Sequence, residues 1–191
     1  MIKEYFFPTI IYIKDLPNAN ELNTYLEKQI IEWSNQDKGV NKTNMNGWHS
    51  QTDMNYKKEY KPLIKELFQM QDEIIQEEYL DINPKLGNMW ANINPPGGYN
   101  QSHIHPNSLF SGVYYVKGQP NSGRLGLMDP RPGSQQCMPN RKKVKLPREL
   151  WRETYYDPIP GRLIMFPSWM WHKVEPNKSN DIRISVSFNF I

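Results

Sequence analysis

Hydrophobic and polar positions change their period part-way along the chain. Phe6 to Lys14 is rich in isoleucine and aromatics and predicts a strand, closed by Asp15, Leu16 and Pro17. Asn18, followed three residues on by Glu21, has the spacing of a capping box. Leu22, Tyr25, Leu26, Ile30 and Trp33 then recur at helical spacing and predict one apolar helix face that packs on a core. Ser34 to Asn46 is polar and Asn-rich, hence a loop, and leads into Gly47, Trp48 and His49. A second helix is predicted from about Pro62 to Leu80, with Leu63, Ile64, Leu67, Met70, Ile74 and Ile75 on one stripe. Glu66, Asp72, Glu73, Glu77 and Glu78 fall on its other side.

From Asn83 the helical period disappears. Short alternating runs predict strands over Lys85–Asn94, Ser108–Lys117, Arg124–Met128, Gly161–Phe166 and Asp181–Ile191, separated by PPGG, GQPNSG, DPRPG, PIPG and EPNKSND. Because the helical segments precede the strands instead of interleaving with them, a parallel βαβ sheet is disfavoured. The expected class is α+β, mainly β: an antiparallel sandwich or jelly roll backed by N-terminal helices. A single domain over 1–191 is expected, with helical support and an N-terminal strand in 1–82 and the β core in 83–191. In the last run, RISVSFNFI, Ile184, Val186, Phe188 and Phe190 share one face and Arg183, Ser185, Ser187 and Asn189 the other. A solvated face would carry Lys and Glu, so Ser, Ser and Asn behind one Arg predict the lining of a polar cavity.

Composition narrows the setting. A mean hydropathy of -0.77 argues against membrane burial. The opening run Tyr5–Ile13 contains Pro8 and lacks a small-residue cleavage site, so neither a signal peptide nor a membrane span is expected there. The single cysteine, Cys137, leaves no internal disulfide and no thiolate cluster, which fits a reducing, cytoplasmic location. Net charge is only +3, yet Arg141, Lys142, Lys143, Lys145, Arg148 and Arg152 lie close together. This stretch has no interleaved aromatics apart from Trp151, so it is expected to be a surface loop or cover rather than a nucleic-acid platform.

The chain has four histidines, and their placement carries the candidate chemistry. His103 and His105 follow a Pro-Gly turn and precede an alternating run, in YNQSHIHPNSLFSGVYYV. In extended backbone they point to one side, roughly 6 to 7 Å apart at Cα, and can share a metal. His172, in PSWMWHKV, supplies a third candidate ligand. Imidazole suits iron, copper, nickel and zinc alike, so ligand type does not choose among them. His49 has no partner at ligand spacing and is expected to be a surface or packing residue.

The order of these parts resembles the 2-oxoglutarate- and Fe(II)-dependent oxygenases, in the prolyl-4-hydroxylase-like branch and nearest a bacterial and phage subgroup. The resemblance runs over about residues 86 to 191 and is strongest in GGYNQSHIHPNSLFSGVYYV, PGRLIMFPSWMWHKV and RISVSFNF. It implies a double-stranded β-helix core, an Fe(II) held by His103 and His172, and 2-oxoglutarate whose 5-carboxylate is bound by Arg183 with help from Tyr115. Arg183 agrees chemically, since its planar fork matches a carboxylate and stays charged, and Ser185 adds a hydroxyl on the same face. The family places Asp or Glu two residues after the first histidine; here that residue is His105. Either His105 is a third ligand, or it lies aside with water or the nearby Asp129 in its place. The implied activity is hydroxylation of a small-molecule or peptidyl substrate by O2, with 2-oxoglutarate decarboxylated to succinate. Trp169, Met170, Trp171, Trp90 and Asn92 are candidate pocket walls. Two other readings remain: a cupin-type three-histidine metalloenzyme that does not use 2-oxoglutarate, and a non-catalytic binding module that kept the barrel.

Overall fold

The computed structural model describes residues 1–131, 137 and 140–191. In chain order its elements are β1 (Tyr12–Asp15), α1 (Ala19–Gln36), β2 (Asn44–Met45), β3 (Trp48–His49), α2 (Lys61–Glu77), β4 (Leu86–Asn94), β5 (Tyr99–His103), β6 (Phe110–Lys117), β7 (Leu125–Met128), β8 (Glu153–Tyr156), β9 (Arg162–Pro167), β10 (His172–Val174) and β11 (Arg183–Phe190). They form two antiparallel sheets, β1-β9-β6-β11-β4-β3 and β2-β5-β10-β7-β8, the jelly roll expected from the pattern.

β11 lies between β4 and β6 and decides what each face of the larger sheet does. Ile184, Val186, Phe188 and Phe190 are fully buried against the helices, joined by Leu26 and Ile30 of α1 and Leu63, Leu67, Met70 and Ile74 of α2. Each such side chain contributes about 1.5–3 kcal/mol of transfer free energy. A polar bond locks the docking: the Tyr114 hydroxyl donates to Asn23 Oδ1 at 2.6 Å. Asn23 therefore takes an inner position of α1, while Tyr25, expected on the apolar face, is exposed. On the opposite face Val113, Tyr115, Leu125, Leu127, Ile164, Phe166 and Met170 form a second cluster, and Val113, Tyr115, Leu125 and Phe166 also line a cavity.

Several boundaries differ from the sequence expectation, each for a local reason. The first strand begins only at Tyr12, because Pro8 has no N–H to give a ladder and Phe7 has a φ of 59°. Asn18 does not form the capping box: at φ 54°, ψ 34° it is left-handed, and its side chain makes no cap bond. β2, β3, β5, β8 and β10 were not predicted as strands; they are two to five residues long and polar, too short to show a period, and are defined by the partners they meet. The basic segment from Arg141 to Arg152 is mostly exposed, as a surface loop. No helix among the described residues is long and apolar enough to cross a membrane.

Candidate metal centre

Strand pairing brings the distant histidines together. β10 lies between β5 and β7, with His172 opposite His103 on one side and Leu127 on the other. His105 lies just past the end of β5, where its backbone N–H donates to the Ser168 carbonyl at 3.1 Å. Ring centroids are 4.2 Å apart for His103 and His172, 4.9 Å for His103 and His105, and 5.0 Å for His105 and His172. One nitrogen of each ring lies within 4.8 Å of the other two, a spacing that could hold one metal ion.

The backbone prepares two of the rings as ligands. His103 Nδ1 donates to the Gln101 carbonyl at 2.7 Å and His172 Nδ1 to the Met170 carbonyl at 2.9 Å. With the proton on Nδ1, each Nε2 keeps its lone pair. Burial lowers all three pKa values, His105 to about 4 and His172 to about 3, with the neighbouring imidazoles adding to the shift in these two. The site is thus a neutral nitrogen donor set at pH 7. Asp129 is not part of it; its carboxylate receives the Arg131 guanidinium at 2.9 and 2.6 Å.

The cavity, about 410 Å³, runs from these histidines to Arg183. Arg183, Ser185, Ser187 and Asn189 of β11 all line it, as the alternation of that strand predicts. Arg183 is 1% exposed. Its Nη1 donates to the carbonyls of Ser122 and Gly123, each at 2.9 Å, while its Nε is buried with no partner among the described residues. Gly123 has a φ of 93°, and a Cβ there would come within 2.6 Å of Nη1, so glycine is what lets the backbone approach the guanidinium. Burial lowers the Arg183 pKa to about 10, which leaves it charged at neutral pH. A buried cation that forms no ion pair with a described residue calls for an anion from outside the chain. The carboxylate of 2-oxoglutarate fits that need, and the three imidazoles fit Fe(II). Tyr115 is 2% exposed beside Arg183; burial pushes its hydroxyl up to about 12, with the Arg183 charge opposing, so it is a neutral donor.

The family model described as "Putative 2OG-Fe(II) oxygenase" matches residues 88–189, more than half of the chain. The chain belongs to this family. It is an Fe(II)- and 2-oxoglutarate-dependent dioxygenase. No curated protein matches it in sequence. In fold it is similar to a Pseudomonas putida prolyl-4-hydroxylase, with a TM-score of 0.65 and 18% identity over 95% of this chain and 92% of that one. It is also similar to the viral collagen prolyl hydroxylase of Paramecium Bursaria Chlorella virus-1, solved with 2OG: TM-score 0.61, 14% identity, 94% of this chain and 95% of that one. A Trichoplax adhaerens prolyl hydroxylase gives a TM-score of 0.62 and 16% identity over 95% and 83% of the two chains.

Two parts of the oxygenase cavity depart from the sequence reading. Trp169 and Trp171 are 54% and 50% exposed and do not wall it, and Met170 is buried in the apolar cluster beside Leu127 and Phe166 instead of lining the cavity; of this stretch only His172 reaches it. Trp90 and Asn92 do line it, together with His49, which is 5% exposed and stacked on Trp90. No linear signal marks His49, because its neighbours come from β4.

Proposed function

We propose that the Fe(II) of this oxygenase is held by His103, His105 and His172, and that Arg183 holds the distal carboxylate of 2-oxoglutarate with hydroxyl donation from Tyr115 and Ser185. The observation that carries this reading is the shared cavity: three neutral imidazoles with nitrogens within 4.8 Å at one end and a buried arginine without an anionic partner among the described residues at the other. Fe(II) with 2-oxoglutarate bound supplies oxidation of a C–H bond by O2, with the co-substrate cleaved to succinate and CO2. The chain's own part is to orient and to exclude water. The carbonyls of Gln101 and Met170 keep the protons of His103 and His172 on Nδ1, which leaves the other nitrogens free to coordinate. The carbonyls of Ser122 and Gly123 hold the Arg183 fork in place before any co-substrate arrives, so little ordering entropy is lost on binding. The substrate is a small molecule or a peptidyl side chain. One domain over 1–191 carries the activity, and the exposed free thiol of Cys137 fits a reducing cytoplasm.

Anaerobic addition of Fe(II) and 2-oxoglutarate tests the assignment. A visible charge-transfer band is expected, with succinate forming once O2 is admitted. Arg183→Ala should weaken co-substrate binding by about 2 to 5 kcal/mol while metal affinity stays near wild type. Unchanged 2-oxoglutarate affinity in that variant would return Arg183 to a structural role.

A further inference from the structure

A short crossover segment, from Lys42 to His49, contributes to the lining of the cavity. β2 pairs Asn44 with Asn100 of β5 in one sheet, and β3 pairs His49 with Asn92 of β4 in the other. The chain therefore steps from one sheet to the other, and Lys42, Thr43 and His49 of this segment line the cavity. The His49 ring is fixed in place. Its Nδ1 donates to the Ser50 carbonyl at 2.6 Å, and its face stacks on Trp90 at 5.5 Å and 7°. Trp90 in turn packs on His105, with centroids 5.5 Å apart, so a continuous column of rings joins His49 to the candidate metal centre. With its proton on Nδ1, His49 presents Nε2 as a bare acceptor that no described residue satisfies. Asn92, its cross-strand neighbour, is 5% exposed; its Nδ2 donates to Ser187 Oγ at 3.2 Å, and its Oδ1 is buried with no partner.

A buried acceptor without a donor, as Asn92 Oδ1 is, is costly unless a ligand supplies the hydrogen, and His49 lines the same cavity with a second acceptor. A hydroxyl brings one hydrogen, whereas a primary ammonium brings three and needs no donor in return. Lys42, an exposed residue just before β2, lines the same cavity and forms no ion pair with a described residue. A ligand that suits these groups carries an ammonium for the two acceptors and an anion for Lys42. It is also small, because the cavity of about 410 Å³ must admit 2-oxoglutarate as well.

Resting on the oxygenase assignment above, we propose that this part of the cavity is the substrate subsite and that it takes a free α-amino acid. Its ammonium is held by His49 Nε2 and Asn92 Oδ1, and its carboxylate faces Lys42. The N-terminus of a peptide offers the same ammonium without the adjacent carboxylate, and the test separates the two.

Calorimetric titration of the full chain loaded with Mn(II) and 2-oxoglutarate needs no turnover. The probes are the common L-amino acids, their N-acetyl derivatives and their carboxamides. At least one free amino acid is expected to bind. N-acetylation should weaken it by about tenfold or more, and conversion to the carboxamide, which removes the anion, by a smaller factor. His49→Phe keeps the stack on Trp90 and removes the acceptor; it should cost about tenfold in amino-acid affinity with 2-oxoglutarate affinity retained. If that variant does not fold, Lys42→Ala takes its place and should weaken the free acid but not the carboxamide. The proposal is overturned if the loaded protein binds no free amino acid, if the N-acetyl form binds equally well, or if the variants bind like wild type. A carboxamide or a peptide that binds better than the free acid overturns it in favour of a peptidyl substrate. Absence of 2-oxoglutarate binding in the first place would instead defeat the oxygenase assignment, and this subsite with it.

Discussion

His105 stands where the resembling oxygenases place a carboxylate, and a neutral nitrogen there leaves the ion one unit more positive than an anionic oxygen would. The His105 ring lies 4.9 and 5.0 Å from the other two imidazoles and 5.5 Å from Trp90, so it is held within the cluster. His105→Ala is expected to lower metal affinity by at least about tenfold in a chelator competition assay. His105→Asp should bind Fe(II) and give a two-histidine, one-carboxylate site, the usual arrangement for non-haem Fe(II) oxygenases. A structure with metal should place His105 at about 2.0 to 2.2 Å from the ion. Coordination by His103 and His172 alone, with His105 turned away, would remove it from the ligand set.

β11 serves both the core and the site, and its packing depends on a glycine opposite. Gly112 of β6 pairs with Phe188, and a Cβ at that position would meet the Phe188 ring and lie 2.8 Å from the Ile164 carbonyl. Phe188 is fully buried and has nowhere to retreat. Gly112→Ala is therefore expected to destabilise the fold by about 1–3 kcal/mol, the usual cost of overpacking, read as a lower denaturant midpoint. Since β11 also carries Arg183, the same variant should weaken 2-oxoglutarate binding. A midpoint and an affinity both equal to wild type would mean that the sheet relaxes there without cost.

At the scale of the whole molecule, ligands and protons act on stability through linkage. Fe(II) and 2-oxoglutarate bind the folded chain only, so anaerobic saturation at about a hundredfold over Kd adds about 2.7 kcal/mol each. For a chain of this size each kcal/mol is about 2–4 °C in Tm. The pH dependence of the metal-free protein has a definite sign. Burial lowers the pKa of His49, with Lys42 and His103 adding to it, and the metal-site imidazoles shift the same way. Below about pH 6.5 the unfolded chain takes up protons that the folded chain refuses. Stability is thus full above that pH and falls as the pH drops toward the folded values. Urea midpoints of chelator-treated protein between about pH 7.5 and 5 should fall with pH, and less steeply in His49→Phe.

The sequence by itself determined the parts that depend on period and on side-chain chemistry. The alternation of RISVSFNF assigned one face to the helices and the other to a polar cavity, and both assignments hold because a pleated strand leaves no third choice. The spacing of His103 and His105 aimed two rings to one side, and the scarcity of histidine singled out His172. Tertiary structure decided what depends on partners far away in the chain. His172 reaches the other two only because β10 pairs with β5, and β10 is three residues long, too short to announce itself. Asn23 became an inner residue because Tyr114 supplied a donor for it. His49 became part of the cavity because β3 lies beside β4, where Trp90 offers a face and Asn92 a second acceptor. Local pattern says which way a side chain points; only sheet pairing says what it meets there.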